Sequence, residues 1–362
     1  MLTSVYLFAM LRNMRKNTLL VTGACGLIGS AMVKSLHKQF DLVIGVDNNQ
    51  RSKFFGSHGD TTEIQEYLIE NIDNYKHSDL DIRNRDGVVR LIKETQPTAI
   101  IHCAAQPSHD LAASIPFEDF EINALATLNL LEASRQNNPD VNFIFLSTNK
   151  VYGDHPNLLP LKELKTRFEY ALDIHESGID ETMSIDQCTH SLFGVSKVAA
   201  DLLVQEYGRN FGMSTVCLRG GCLTGPAHRG AQLHGFLSYL GKCVAKDMNY
   251  TIFGYKGKQV RDNIHCDDVA SLVRLILEKP VIGEVFNLGG GAQNSCSMLE
   301  AIQAFETISG RKLRYEYNDK HRTGDHICYY SNLSKIKSEY PAWKIEKNLE
   351  KIYEEIYQSW IN

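Results

Sequence analysis

Val21-Thr22-Gly23-Ala24-Cys25-Gly26-Leu27-Ile28-Gly29-Ser30 (VTGACGLIGS) is the stretch whose reading decides the fold. The first glycine permits a tight turn, the second lets backbone approach a pyrophosphate, and the third lets helix and strand pack closely. Such a turn sits between a strand and a helix whose free N–H groups point at phosphate. Glycine spacing alone is weak, so its flanks matter. Thr18–Thr22 reads as a buried strand. Leu27–Leu36 reads as a helix with apolar Ile28, Met32, Val33 and Leu36. A second strand, Leu42–Val46, ends at Asp47, about twenty residues on, where an acid for the adenosine ribose is required.

Outward from this unit the alternation continues. A helix is predicted over Asp86–Glu94, a strand over Ala99–Cys103, a helix over Phe117–Gln136 and a strand over Asn142–Ser147. Such alternation predicts an α/β fold of Rossmann type, a doubly wound parallel sheet with right-handed crossovers. From Asp154 to Gln187 the chain turns polar and reads as a long loop or insertion. A helix over Gly194–Phe211 and a strand over Ser214–Arg219 then return to the sheet. Beyond Gly225 shorter, mixed elements predict a smaller C-terminal α/β substrate lobe. We therefore expect residues 18–220 mainly to bind cofactor and 221–362 mainly substrate, interleaved around one cleft. Residues 1–17 are too short and too oddly charged for a signal peptide or membrane span, and read as a disordered or over-called start.

The composition narrows the partners. The chain has 362 residues, 43% hydrophobic and 22% charged, with a net charge of −5. No basic stripe exists to neutralise nucleic-acid phosphates, and no membrane partner is expected. Nine cysteines are scattered without a CxxC pair. That argues against a disulfide framework or a metal site and for a reducing cytoplasm. Asp47 would repel a 2′-phosphate, which favours NAD over NADP, with Arg51 near enough to soften the preference.

TGACGLIGS, DIR at 81–83, HCAAQ at 102–106, STNKVYG at 147–153 and a helix carrying GVSK, with its lysine at 197, together resemble the extended short-chain dehydrogenases acting on nucleotide sugars. DIRN, STNKVYGD, GKQVRDNIH and FNLGG narrow the likeness to the CDP-linked deoxysugar 2-epimerases within that family. The resemblance implies a cofactor site of Gly23, Gly26, Leu27, Ile28, Gly29, Asp47, Asn48, Asn49, Arg51, Asp81, Ile82, Ala104, Ala105, Gln106, Asn123 and Ser147. Thr148 would hydrogen-bond the reacting oxygen. Lys197 would hold the nicotinamide ribose. Arg261 and Arg322 would clamp the sugar-nucleotide diphosphate through their planar forks, and Asp325 would contact the nucleoside ribose. Relatives pair through the helix bearing Lys197. A homodimer is therefore expected, with Ala199, Ala200, Leu203 and Val204 as its apolar positions.

One position departs from the family. Where the motif YxxxK has its acid/base tyrosine, this chain has Phe193, which carries no proton to exchange. His190, one turn earlier, and His109, in QPSHD, are the candidate substitutes. A binding protein without turnover, and different chemistry on an already activated ketone, are the other readings. Cys222 stands where many relatives have Asn. Dehydratases carry an Asp-Glu pair after the Thr, whereas Asn149 and Lys150 follow Thr148 here. The leading expectation is thus an epimerase holding NAD tightly, which oxidises a ring hydroxyl, lets the ketose reorient and returns the hydride to its other face. A 4-dehydrogenase or 4,6-dehydratase ranks second.

Overall fold

The computed structural model describes residues 16–173, 176–228, 230, 235–320 and 324–361. The expectation for the first residues lies largely outside that range. Strand β1 (Thr18–Thr22) is buried on both faces: Leu19 and Val21 point into one core and Leu20 into the other. A strand covered on two sides belongs in the middle of a parallel sheet. That is its place. β1 pairs on one side with β2 (Leu42–Val46), which pairs with β3 (Tyr75–Ser78). On its other side lies β4 (Ala99–His102), followed by β5 (Asn142–Thr148).

The polar segment after β5 is mostly irregular, but it folds a small antiparallel hairpin, β6 (Leu161–Glu163) with β7 (Phe168–Tyr170). The chain then adds β8 (Thr215–Gly220) beside β5. It leaves through β9 (Cys222–Thr224), β10 (Tyr250–Phe253) and β11 (Val260–His265), and returns as β12 (Glu284–Leu288) to close the sheet edge. The seven-stranded order is β12-β8-β5-β4-β1-β2-β3, parallel throughout. The direction of winding reverses between β1 and β4, and ligands of open α/β sheets bind outside the carboxyl ends of the strands at such a point.

Nine helices of ten or more residues are described: α1 (Leu27–Leu36), α2 (Thr62–Asn71), α3 (Arg85–Thr95), α4 (Ala126–Asn137), α5 (Ser191–Phe211), α6 (Phe236–Ala245), α7 (Cys266–Glu278), α8 (Met298–Ser309) and α9 (Leu349–Ile361). Helices α1 and α7 pack together over one face of the sheet, and α3, α4 and α5 over the other. The second lobe has its own core, in which α6, α8 and α9 bury Leu240, Phe305, Ile352 and Ile356. The helix predicted over Phe117–Gln136 is interrupted by a π-turn at Glu121–Leu125 between Pro116–Phe120 and α4. Strands β13 (Ser295–Ser297) and β15 (Cys328–Tyr329) flank β11, while β14 (Tyr315–Asn318) pairs with β10. None of the described helices is long and apolar enough to cross a membrane.

Candidate active site

A cleft of about 510 Å³ runs along the carboxyl ends of β1, β4 and β5 and is closed on its far side by the second lobe. One end is made by the glycine turn. Gly23 has φ +67°, and a Cβ there would stand 2.8 Å from the Ala104 nitrogen, so the turn after β1 packs directly on the turn after β4. A Cβ on Gly29 would lie 2.0 Å from the Gly23 carbonyl oxygen. That contact brings α1 close to the turn and leaves the first N–H groups of α1 facing the cleft. Asp47 follows β2, and its carboxylate accepts from the backbone N–H of Cys25 at 2.9 Å and of Asn49 at 2.9 Å. The acid is thereby fixed against the glycine turn.

Other predicted residues fall around this end. Leu27, Ile28, Asn48, Arg51, Asp81, Ile82, Ala104, Ala105 and Ser147 line the cleft. Burial pushes the Arg51 guanidinium down to about 10. Asp81 is held below the usual carboxylate range by Arg83, whose guanidinium reaches it at 2.6 Å. Ser147 lines the cleft, yet its hydroxyl donates inward to Asp201 at 2.6 Å, beside the buried Asp201–Arg219 pair. Asn49 turns aside to bond Asp60 and Thr61.

Gln106 and Asn123 do not line the cleft. The π-turn rotates Asn123 so that its amide donates to the Gln106 carbonyl at 3.2 Å, Asp119 at 3.1 Å and Ser196 at 3.1 Å. Gln106 donates to Asp119 at 2.7 Å, and Ser196 donates to the same carboxylate at 2.6 Å. Burial raises the Asp119 carboxyl. These side chains form a closed polar network tying the loop after β4 to α5, and periodicity carries no sign of it.

At the middle of the cleft, α5 presents Phe193 and Lys197. Lys197 is almost fully buried. Its ammonium donates to the Leu146 carbonyl at 3.0 Å, lies 4.6 Å from the centre of the Phe145 ring, and is pushed down to about 8 by burial. Thr148 ends β5, and its hydroxyl accepts from the Lys150 backbone N–H at 3.2 Å. His109 also lines the cleft, its ring centre 6.0 Å from that of Phe193 and its Nε2 3.0 Å from the Ser191 hydroxyl. His190 is elsewhere. It is not among the residues lining the cleft, its Nε2 donates to the Val151 carbonyl at 2.9 Å, and its ring rests by Cys188.

The opposite wall is cationic. Arg261, on β11, donates to Asp325 at 2.6 Å, and Lys150 donates to the same carboxylate oxygen at 3.2 Å. Cys222, Asn263, Gln259 and Tyr250 complete that wall. Arg322 lies outside the described residues. Lys150 was visible in STNKVYG only as a carboxylate missing from a dehydratase pair. Its place beside Asp325, far along the chain, has no local signal.

The model of the NAD dependent epimerase/dehydratase family matches residues 19–289. The CDP-paratose 2-epimerase of Salmonella typhi is 34% identical over 326 residues, covering 88% of this chain and 92% of that protein. The dTDP-glucose 4,6-dehydratase of Salmonella typhimurium is 26% identical over 350 residues, covering 90% and 88%. Among solved structures, a tyrosine-to-phenylalanine variant of UDP-glucuronic acid 4-epimerase from Bacillus cereus, in complex with a fluorinated UDP-sugar and NAD, matches with a TM-score of 0.77. It is 26% identical, over 94% of this chain and 98% of that one.

Proposed function

Because this chain belongs to the NAD dependent epimerase/dehydratase family, we propose that it is an NAD-dependent nucleotide-sugar epimerase, acting at C2 of a CDP-linked deoxysugar. The observation that carries the reading is one cleft with a dinucleotide cradle at one end, a cationic wall opposite, and Thr148, Lys197 and His109 between them. The cradle fits NAD: Gly23 and Gly29 leave no room for a Cβ, and Asp47 stands where the adenosine ribose hydroxyls need an acceptor. When bound, NAD supplies the reversible oxidation of the sugar carbon.

The chain's own residues supply the rest. Thr148 hydrogen-bonds the reacting oxygen, and Lys197 holds the nicotinamide ribose. His109 takes the proton from the sugar hydroxyl as the ketone forms and returns it when the alcohol is restored, so no proton is gained or lost over a cycle. Arg261 and Lys150 clamp the diphosphate, and Asp325 contacts the nucleoside ribose. Residues 18–220 serve mainly the cofactor and 221–362 mainly the sugar nucleotide. The 2-epimerase relative, 34% identical over nearly its whole length, supports the choice of CDP and of C2.

The dehydratase reading is weaker. Of the three aspartates lining the cleft, Asp47 accepts from backbone, Asp81 is paired with Arg83, and Asp325 is paired with Lys150 and Arg261. No acid–base carboxylate pair follows Thr148. A binding protein without turnover is favoured by Phe193 alone.

A homodimer is supported by the exposed stripe of α5 on which half-buried Ala199, one of the four positions the resemblance suggested, lies between Val195 and Leu202. Ala200 and Val204 are buried in the chain's own core, whereas Leu192, Val195 and Leu202 of α5 are exposed together with Phe117, Phe120 and Leu125. An apolar patch of that kind marks an interface.

The test is proton NMR of a reaction with CDP-, dTDP- and UDP-linked sugars. An inverted sugar carbon without net reduced cofactor is expected. Loss of water would favour the dehydratase, and no product with any donor would favour the binding protein.

A further inference from the structure

We infer that Ser191 is a positioning residue for His109, holding the imidazole in the orientation that proton exchange requires. The inference rests on His109 being the acid/base. Ser191 opens α5 with φ +63°, in the left-handed region that disfavours any residue with a Cβ. A helix start does not demand this, since the usual capping residue is extended. Nor is capping what the side chain does best. The Ser191 hydroxyl accepts from the Gly194 N–H only at 3.4 Å, yet it lies 3.0 Å from His109 Nε2, 82 residues away in sequence. Strain in a non-glycine residue persists only where its surroundings over-determine it, and it concentrates at functional sites.

The rest of the pocket leaves the ring little freedom. His109 begins a short helix capped by Ser108, and Ser108 is tied to the buried Gln106–Asp119 network. Phe193 lies on one side of the ring. Gly324, with φ +70°, comes so close that a Cβ there would stand 3.4 Å from Cε1 and Nε2. Once packing fixes the ring plane, a hydroxyl at Nε2, able to donate or accept, keeps that nitrogen hydrogen-bonded whether or not it carries the proton. Ser191 does not line the cleft, so it acts through His109 and not on the sugar. Among the described residues, the ionisable groups grouped around this pocket are Lys197, one turn after Phe193, Lys150 and Asp325, which join at Gly324, His190, whose backbone meets Gly324 as well, Asp110 beside His109, and Asp119 of the network behind Ser108. They are common to every variant below.

Ser191→Ala keeps the strain and removes the hydroxyl; Ser191→Gly removes both. In cofactor-free protein, ring nitrogen NMR is expected to show the His109 Nε2 resonance and its titration midpoint displaced in both variants. Both are also expected to lose roughly five- to tenfold in kcat, with KM unchanged and the pH profile displaced to match. The melting temperature separates them: Ser191→Gly is expected to melt higher than Ser191→Ala. If both variants keep the wild-type His109 spectrum and pH profile, Ser191 merely starts a helix and the inference is overturned. If His109→Gln leaves turnover intact while the Ser191 variants still perturb the His109 spectrum, the acid/base reading fails and the contact survives.

Discussion

The two ends of the cleft are built in opposite ways. At the cofactor end the constraints are made mostly of backbone: Gly23 packs on Ala104, Gly29 packs on Gly23, and Asp47 is pinned by the N–H groups of Cys25 and Asn49. At the reacting end they are long-range and made of side chains. His109, Thr148 and Asp325 come from three separate segments and Ser191, Phe193 and Lys197 from α5, and His109 is held by both Ser191 and Phe193. A backbone site tolerates almost no change in residue type but announces itself in a short motif. A side-chain site can exchange its members provided the neighbours are rearranged, and on the proposed function Phe193 in the tyrosine's place is such an exchange.

The sharpest way to break this contrast is at Gly29. Gly29→Ala sets a Cβ against a carbonyl that cannot move without unravelling the turn. A loss of about 3 kcal/mol of stability is expected, together with loss of NAD binding by calorimetry. Gly26→Ala is its control. Its nearest atom would be 3.3 Å away, so the fold should survive and only cofactor affinity should fall.

At the reacting end the effect should fall on rate alone. His109→Gln is expected to lower kcat by about 10²- to 10⁴-fold while the protein still binds NAD. His190→Ala should leave kcat unchanged and cost about 1 kcal/mol in denaturant unfolding, the worth of its bond to the Val151 carbonyl. Equal losses in the two variants would erase the distinction between them.

A smaller effect is expected at Asp47. Asp47→Asn keeps an acceptor but loses the charge, so NAD affinity should drop about tenfold and discrimination against NADP should relax. The smallest is a pH effect at Lys197, whose ammonium is pushed from 10.5 to about 8 by burial. Its charge is present below about 8 and lost as pH rises through that value, so NAD affinity should weaken there. Stability should move the other way. Between about 8 and 10.5 the unfolded chain binds the proton that the folded chain has released, which makes unfolding less favourable as pH rises. Affinity and melting temperature measured across that window in cofactor-free protein should therefore diverge.

Legibility followed the same division. The turn 21–30, the strands Thr18–Thr22 and Leu42–Val46 and the helix Leu27–Leu36 were readable because glycine spacing and apolar period are local properties. The helix after β4 was readable, but its π-turn was not, because Asn123 is turned by partners on other segments. His190 was offered beside His109 because it stands one turn before Phe193, but sequence distance says nothing about which rings face the cleft, and its Nε2 turns to the Val151 carbonyl. Ser191 carried no signal, and Lys150 only that of a carboxylate missing from the dehydratase pair. Each owes its place to a residue far away in the chain, His109 in one case and Asp325 in the other.

The most direct test of the account is mass spectrometry of what purified protein releases on gentle denaturation. Oxidised NAD in equimolar amount is the predicted result, since each cycle restores the cofactor to its oxidised form. Protein that releases no nicotinamide dinucleotide, and takes up none when it is supplied, would contradict the account at its root.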